Sequence, residues 1–512
     1  MNGFLKKYWH LIALALILLL GGFLRFYRIS EISNFSYDPA RDAEVIRKIV
    51  QDHKFTLLGP PTSVSSQDVG YGTTYFGPIF YYILAPGLLF SQMDPVGLVS
   101  IVALLGTLSI ILIYLVVSKL TQSKCAALIA SFLYAISPGA VEYSRWIWNP
   151  NLIPFFTLLM VYLLVIYQKN TKTLNLFCIG IIMGLLIQLH FMTYFLFLLP
   201  LALIALLKFY QKKDLSLFKS LSLLLLGFVI AISPMILFDL RHNFLNVKSV
   251  VYNLTTGKHA NGDYFGLTLR HFWLVPEALL SKFLGLETFM SILLVLGLLL
   301  VGVAILLLKK HLRLSFFLLL VYFLGGWLGS SIYDHRGKLD PRYIIPFFPV
   351  LFLMFGVFSF LALRRKCLKY PFFILLMILS IFSFKADFEL LTEGVYPIGL
   401  GFFRETSSLI INDVRQDKLI KRFNVTNLLE ENDRRSNSFR YFFNAQRVPI
   451  LGVEDYPNAD ILYVIDKDYG WEGIVNNTDT WEVYSFKPKI LLKVLNGPDG
   501  VKIYKIGKEK NG

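Results

Sequence analysis

Two carboxylates and a guanidinium lie close together in Tyr37-Asp38-Pro39-Ala40-Arg41-Asp42-Ala43, shortly after the first long apolar run of the chain. A carboxylate can take the proton of a hydroxyl group that is about to attack. A guanidinium is suited to gripping phosphate. Pro39 ends any helix continuing from the apolar run, and Ala40 to Asp52 can restart one lying along a membrane surface. Asp38 then sits at or just before that helix's N-terminus, with Asp42 one turn along. The plainer use of Asp38 is as an N-cap, with Arg41 offsetting the two acids.

Further groups able to do chemistry stand where other apolar runs begin or end. They are Tyr75 and Tyr82 in an aromatic stretch, Arg145 and Asn149 in Arg145-Trp146-Ile147-Trp148-Asn149-Pro150-Asn151, and His190 between two runs. Asp239, Arg241 and His242 share one turn, and Arg342 and Tyr343 follow Asp340-Pro341. Each has a plain alternative: an aromatic belt for the tyrosines, a snorkelling side chain for Arg145, a polar gap filled by His190, and a local ion pair at Asp239. Taken together, one or two acids and several arginines suit the transfer of a group from a lipid-linked phosphate to a hydroxyl. The acid accepts the proton and the cations stabilise the departing phosphate.

The elements that must position these residues are membrane spans. Of the 512 residues, 55% are hydrophobic and 16% charged, and the mean hydropathy is +0.58. Such a chain is an integral membrane protein. Apolar stretches at Trp9–Leu24, Val96–Val117, Ala126–Tyr143, Leu152–Tyr167, Leu174–Leu189, Phe191–Leu207, Leu221–Phe238, Phe289–Leu308, Leu314–Ile332, Tyr343–Leu363 and Phe372–Phe384 give a polytopic α-helical protein of about 11 to 12 spans. The first is read as an uncleaved span, because no small-x-small site follows it before Arg25. The net charge of +16 is scattered over short loops and forms no nucleic-acid patch. Cys125, Cys178 and Cys367 have no metal-ligand spacing.

The run Tyr75–Phe90, interrupted by Gly77-Pro78 and Pro86-Gly87, decides the orientation. If it lies in the interface, the loops carrying Lys119/Lys124, Lys169/Lys172, Lys208–Lys219, Lys309–Arg313 and Arg364–Lys369 all fall on the cytoplasmic side with Lys6 and Lys7. The acids, arginines and histidines named above then face outward. The expected plan is a membrane module at 1–385, with a first outer loop at about 25–95 rich in polar turns, and a small extracytoplasmic α/β domain at 386–512. Strand-like Ile461–Ile465 and Ile490–Leu495 and helix-like Ser407–Arg415 belong to that domain, which has no nucleotide-binding glycine pattern.

Tyr37-Asp38-Pro39-Ala40-Arg41-Asp42-Ala43 after the first span, then Tyr75-Phe76-Gly77-Pro78, then Trp148-Asn149-Pro150-Asn151, resemble the GT-C superfamily of polytopic membrane glycosyltransferases. The branch is the family 39-like one, related to bacterial protein O-mannosyltransferases and aminoarabinose transferases. The resemblance covers about residues 1–385. It implies a polyprenyl-phosphate sugar as donor, and a lipid, glycan or protein hydroxyl as acceptor. Asp38 would be the catalytic acid/base residue of an inverting transfer, Gly77-Pro78 the element closing the site, and arginines such as Arg342 the phosphate ligands. Plasma-membrane residence with an outward site follows, and no nucleic-acid partner. Relatives commonly carry Asp-Glu where this chain has Asp38-Pro39. That departure leaves three arrangements: Asp38 alone, Asp42 sharing the work, or a divalent metal taking part. No cofactor is otherwise implied. Two rival classes are an O-antigen ligase or polymerase, which would use Arg241, His242, His259, Arg270 and His271, and a lipid-linked sugar flippase, which would show matching broken helices in two halves.

Overall fold

The computed structural model describes residues 3–66, 72–255, 264–285, 313–331, 341–394, 398–417 and 420–508. The span expected at Phe289–Leu308 and the residues Asp340 and His259 lie outside that set. The chain forms two compact units. One comprises Met1–Tyr27, Phe55–Ile83 and Ile101–Thr392, and the other Arg28–Lys54, Leu84–Ser100 and Glu393–Gly512.

The first unit is mostly helical. Among the described residues of the whole chain, six helices are long and apolar enough to cross a bilayer. They include Val96–Thr121, Leu217–Arg241 and Lys366–Glu393, and five shorter apolar helices accompany them. Leu225, Leu226, Ile230 and Leu240 of Leu217–Arg241 are exposed, as are Ile374, Met377 and Ile381 of Lys366–Glu393. Faces this greasy are stable only against lipid. The protein is therefore a multi-pass membrane protein. Thr173–Leu189 and Leu217–Arg241 pack backbone to backbone. A Cβ on Gly180 would come 2.1 Å from the Leu224 carbonyl oxygen, and one on Gly227 would come 2.2 Å from that of Phe177.

Several expected spans are interrupted or extended. Ala126–Tyr143 is two helices, Lys124–Ala135 and Pro138–Glu142, because Pro138 opens a new helix that Ser137 caps through Ala140 N–H. The Ser137 hydroxyl also donates to the Phe283 carbonyl at 2.7 Å. Ile79–Phe90 has 12 residues, about 18 Å at the usual helical rise and short of a hydrocarbon core. The helix holding Phe372–Phe384 continues to Glu393.

In the second unit a four-stranded sheet is ordered β3-β4-β6-β5, where β3 is Phe423–Asn427, β4 Ile461–Asp466, β5 Ile490–Asn496 and β6 Lys502–Gly507. β3 and β4 are parallel and the other pairs antiparallel. The remaining pair, β1 (Pro61–Ser66) with β2 (Gly72–Tyr75), is antiparallel and belongs to the first unit. Leu462, Val464, Tyr504 and Ile506 of the larger sheet pack with Tyr456, Ile474, Val483 and Phe486 to form a core. The unit reaches beyond the tail to take in the first-loop helix Tyr37–Gln51 and the segment Leu84–Ser100.

On the other side of that sheet Asp413 is buried and accepts hydrogen bonds from Tyr463 Oη at 2.7 Å and Lys493 Nζ at 2.7 Å, with Lys505 Nζ at 2.9 Å. Burial alone would raise its pKa, but the bonds from Lys493, Tyr463 and Lys505 outweigh it and hold the carboxyl at about 2 against an ordinary 3.8. The stabilisation, on the order of 2 kcal/mol, is therefore present above the ordinary value and lost as pH falls toward the depressed one. The expected outcome is that full-length protein unfolds at a higher temperature than its Asp413→Asn variant at neutral pH, and that this difference shrinks as pH is lowered from 3.8 to about 2. Thermal melts in detergent across that range check it.

Candidate functional site

The residues singled out from the sequence divide between the two units. In the second, the Asn34 side-chain oxygen accepts from Ser36 N–H at 2.9 Å and turns the chain. The helix Tyr37–Gln51 then starts with Ser36 at its N-cap position. Asp38 and Pro39 occupy the first turn, where the missing proline N–H has no intrahelical partner to lose. Asp38 is thus not the N-cap. Arg41 joins both acids: Nη1 lies 2.6 Å from Asp38 Oδ1, and Nη2 lies 2.9 Å from Asp42 Oδ1. The acids differ sharply in exposure, 57% for the Asp38 side chain and 1% for that of Asp42. Asp42 anchors the guanidinium, and Asp38 is the acid that an incoming molecule can reach. A guanidinium fills the space between the two carboxylates that a divalent ion would need, so this donor set does not fit a metal. Among the described residues no three His, Cys, Asp or Glu side chains gather to hold one.

In the first unit most candidates fasten loops. Tyr82 Oη donates to the Thr56 carbonyl at 2.7 Å and accepts from Thr56 N–H at 3.1 Å. Asn246 bonds both backbone groups of Tyr75, at 2.8 and 3.2 Å. Asp239 accepts from Asn246 N–H at 2.8 Å, which caps the helix Leu245–Thr255. The local ion pair weighed for Asp239 is thus replaced by a helix cap, because the chain turns back and presents free amide groups to it. Its neighbour Arg241 is exposed, and His242 stacks on Phe238 at 4.1 Å.

Arg145 is buried. Its Nη1 donates to the Leu24 carbonyl at 2.8 Å and its Nη2 to the Tyr27 carbonyl at 2.7 Å, which satisfies the last turn of the first helix. Arg25, fully buried, does the same for Gly21 and Ala135, both at 2.9 Å. The positive charges suit the negative end of that helix. Asp387, on the helix Lys366–Glu393, is buried as well.

His190, Asn149, Arg342 and Tyr343 do come together. Asn149 donates to the Leu189 carbonyl, and the His190 ring accepts from Met192 N–H and packs on Phe76 at 5.1 Å and Tyr343 at 6.0 Å. Gly77 N–H bonds the Gln188 carbonyl at 3.1 Å, a close approach in which a Cβ would meet the Gln188 side chain at 2.2 Å. Arg342 lies over the Trp148 ring at 5.6 Å, and Trp148 stacks on Trp146 at 4.7 Å. The result is an aromatic wall with a guanidinium set on it, an arrangement able to take the face of a sugar and an anionic group. The paired tryptophans, Arg25 and Asp387 were absent from the sequence-based candidates. The i, i+2 spacing of Trp146 and Trp148 in a non-helical turn, which brings both to one side, was the available signal.

Residues 15–241 match the model of the dolichyl-phosphate-mannose-protein mannosyltransferase family. A zebrafish (Danio rerio) protein O-mannosyl-transferase 2 is 28% identical over 165 residues, 32% of this chain and 21% of that protein. A putative mannosyltransferase, YkcB of Bacillus subtilis strain 168, is 31% identical over 173 residues, 34% of this chain and 23% of that protein. These alignments span less than a quarter of the curated relatives' own length. The crystal structure of ArnT from Cupriavidus metallidurans bound to undecaprenyl phosphate superposes over 97% of this chain and 98% of its own, with a TM-score of 0.57 and 12% identity. The chain therefore resembles the GT-C membrane glycosyltransferases, in sequence over its first half and in fold over nearly its whole length. The matched stretch holds Asp38, Arg41, Asp42, Tyr75, Tyr82, Arg145, Asn149, His190, Asp239 and Arg241, and stops short of His242, Arg342 and Tyr343.

Removing the arginine that serves the first helix leaves buried carbonyls without donors. Arg145→Ala is expected to destabilise the protein by about 3 kcal/mol, and Arg145→Lys by nearly as much, since one ammonium cannot reach both Leu24 and Tyr27. Thermal melts of the purified protein in detergent check this; a wild-type melting temperature for both variants would contradict the assignment.

Proposed function

We propose that this protein transfers a sugar from a polyprenyl-phosphate donor to an acceptor hydroxyl at the outer face of the plasma membrane, with inversion at the anomeric carbon. The observation that carries the reading is the solvent-reachable Asp38 carboxylate, tied by Arg41 to a buried second acid, within the stretch that matches the mannosyltransferase family. The lipid named with the structurally similar ArnT, undecaprenyl phosphate, supports a donor of that class.

In this mechanism Asp38 takes the proton of the acceptor hydroxyl as the oxygen attacks the anomeric carbon. The bond to the phosphate oxygen breaks on the opposite side of the ring, and its electron pair leaves with the lipid phosphate. One displacement with one base inverts the configuration. Within the membrane unit, the Arg342 guanidinium is suited to a phosphate charge and the Trp146–Trp148 stack to the apolar face of a sugar. His190 and Tyr343 line the same cluster as Arg342. Asp42 acts through Arg41, and Tyr75, Tyr82, Arg145, Asn149 and Asp239 act by holding backbone. Arg241 and His242, at the end of Leu217–Arg241, are further candidates for contact with donor phosphate. The positive-inside pattern of the loops supports an outward site and an extracytoplasmic tail at 386–512.

The test is sugar transfer in membranes supplied with a polyprenyl-phosphate sugar. Asp38→Asn is expected to lower the rate about 100- to 10,000-fold, and Arg342→Ala about 100-fold, with protein levels unchanged. Wild-type transfer by Asp38→Asn would reject Asp38 as the base, and use of a pyrophosphate-linked donor in place of the monophosphate would reject the donor class.

A further inference from the structure

The helix that carries Asp38 is built into the same compact unit as the tail, buries Ala40, Ala43 and Ile46, and is fastened at its two ends. Just before it, Phe35 is fully buried among the rings of Phe403, Tyr441 and Phe442, at 6.3, 5.5 and 5.7 Å. Leu400 N–H donates to the Ser33 carbonyl at 2.8 Å. Just after the active residues, Gln51 Nε2 donates to the Ala445 carbonyl at 3.3 Å. Gly399 makes the docking close, since a Cβ there would lie 2.3 Å from the Glu31 carbonyl oxygen.

One side chain ties these parts together. Arg404, on the tail helix Leu400–Gln416, donates through Nε and Nη2 to the two carboxylate oxygens of Asp94, at 2.7 and 2.9 Å, and through Nη1 to the Ser30 carbonyl at 3.1 Å. Asp94 in turn accepts from Val96 N–H at 2.8 Å, at the start of the helix Val96–Thr121. A second tail residue repeats the link, with Tyr441 Oη donating to the Met93 carbonyl at 2.8 Å. A bidentate guanidinium–carboxylate pair fixes angle as well as distance, and the third bond makes Arg404 a clasp on the chain leading into the first-loop helix.

From this we infer that the tail's role is to orient the Asp38 helix, and that Arg404 is a positioning residue for the transfer reaction. The inference rests on Asp38 being the base. A base must meet its proton within hydrogen-bond reach, so loosening the helix lowers the rate of the chemical step while leaving donor binding intact.

The experiment uses the full-length protein in membranes or nanodiscs, with Arg404→Ala, Arg404→Lys and Gly399→Val as variants. The last drives a side chain against Glu31 without touching either acid. Two readouts are taken: kcat and donor KM for transfer from a polyprenyl-phosphate sugar, and, in a chain whose free Cys125, Cys178 and Cys367 are replaced by alanine, the distance distribution between spin labels on Lys48→Cys and Glu454→Cys, both on exposed side chains. All variants are expected to broaden the distribution and lower kcat roughly 10- to 100-fold, with donor KM unchanged. Wild-type kcat in Arg404→Ala and Gly399→Val overturns the inference, as does a lowered kcat with an unchanged distance distribution. Arg404→Lys and Gly399→Val keep the test open should Arg404→Ala fail to fold. Full activity in Asp38→Asn would instead reject the base assignment, and the distance measurement would still show whether the clasp holds the helix.

Discussion

The Arg41 guanidinium lies between a buried carboxylate and an exposed one, and this asymmetry governs what the first-loop helix can do. A carboxylate that is to take a proton must be reachable, and a reachable side chain on a short helix is ordinarily free to wander. Here Asp42 holds the guanidinium, the guanidinium holds Asp38, and the helix itself is fixed before its start by the packing of Phe35 and at its end by the Gln51 side chain on the Ala445 carbonyl. Charge-assisted bonds of this kind set direction more firmly than neutral ones. The same arrangement leaves no room for a metal between the acids, so the proposed base works as a carboxylate with an arginine partner.

The membrane unit solves a different problem. Every helix interruption at membrane depth exposes backbone groups that lipid cannot satisfy, and this chain has several. Arg25 and Arg145 supply donors to the carbonyls at the end of the first helix. Asn149 and Gly77 supply donors to the bend at Gln188-Leu189-His190, and Asp239 accepts amides where the chain re-enters a helix. Polar residues at span ends thus serve backbone here, and the Arg342 guanidinium lies over the face of Trp148, where the proposed donor contacts belong.

Much of this was legible in the amino-acid order. The apolar runs, the acid pair one turn apart, the interruption at Gly77-Pro78 and the strands at Ile461 and Ile490 all announce themselves through local composition and period. What stayed hidden depends on partners far along the chain. Arg145 reads as a candidate phosphate ligand until the Leu24 and Tyr27 carbonyls, more than a hundred residues earlier, are seen to occupy it. Asp94 and Arg404 stand 310 positions apart and carry no shared pattern. β3 is Phe423-Asn-Val-Thr-Asn, buried throughout, so it lacks the alternation that marks a half-exposed strand. The helix running past Phe384 to Glu393 carries Lys385, Asp387 and Glu389, charges that resemble a domain boundary.

The central claim, that Asp38 is the proton acceptor, is tested most directly by chemical rescue. An Asp38→Gly chain in membranes, assayed with a polyprenyl-phosphate sugar, is predicted to be nearly inactive and to recover transfer as formate is added, while the wild-type rate does not respond. A wild-type rate in Asp38→Gly without formate would contradict the account.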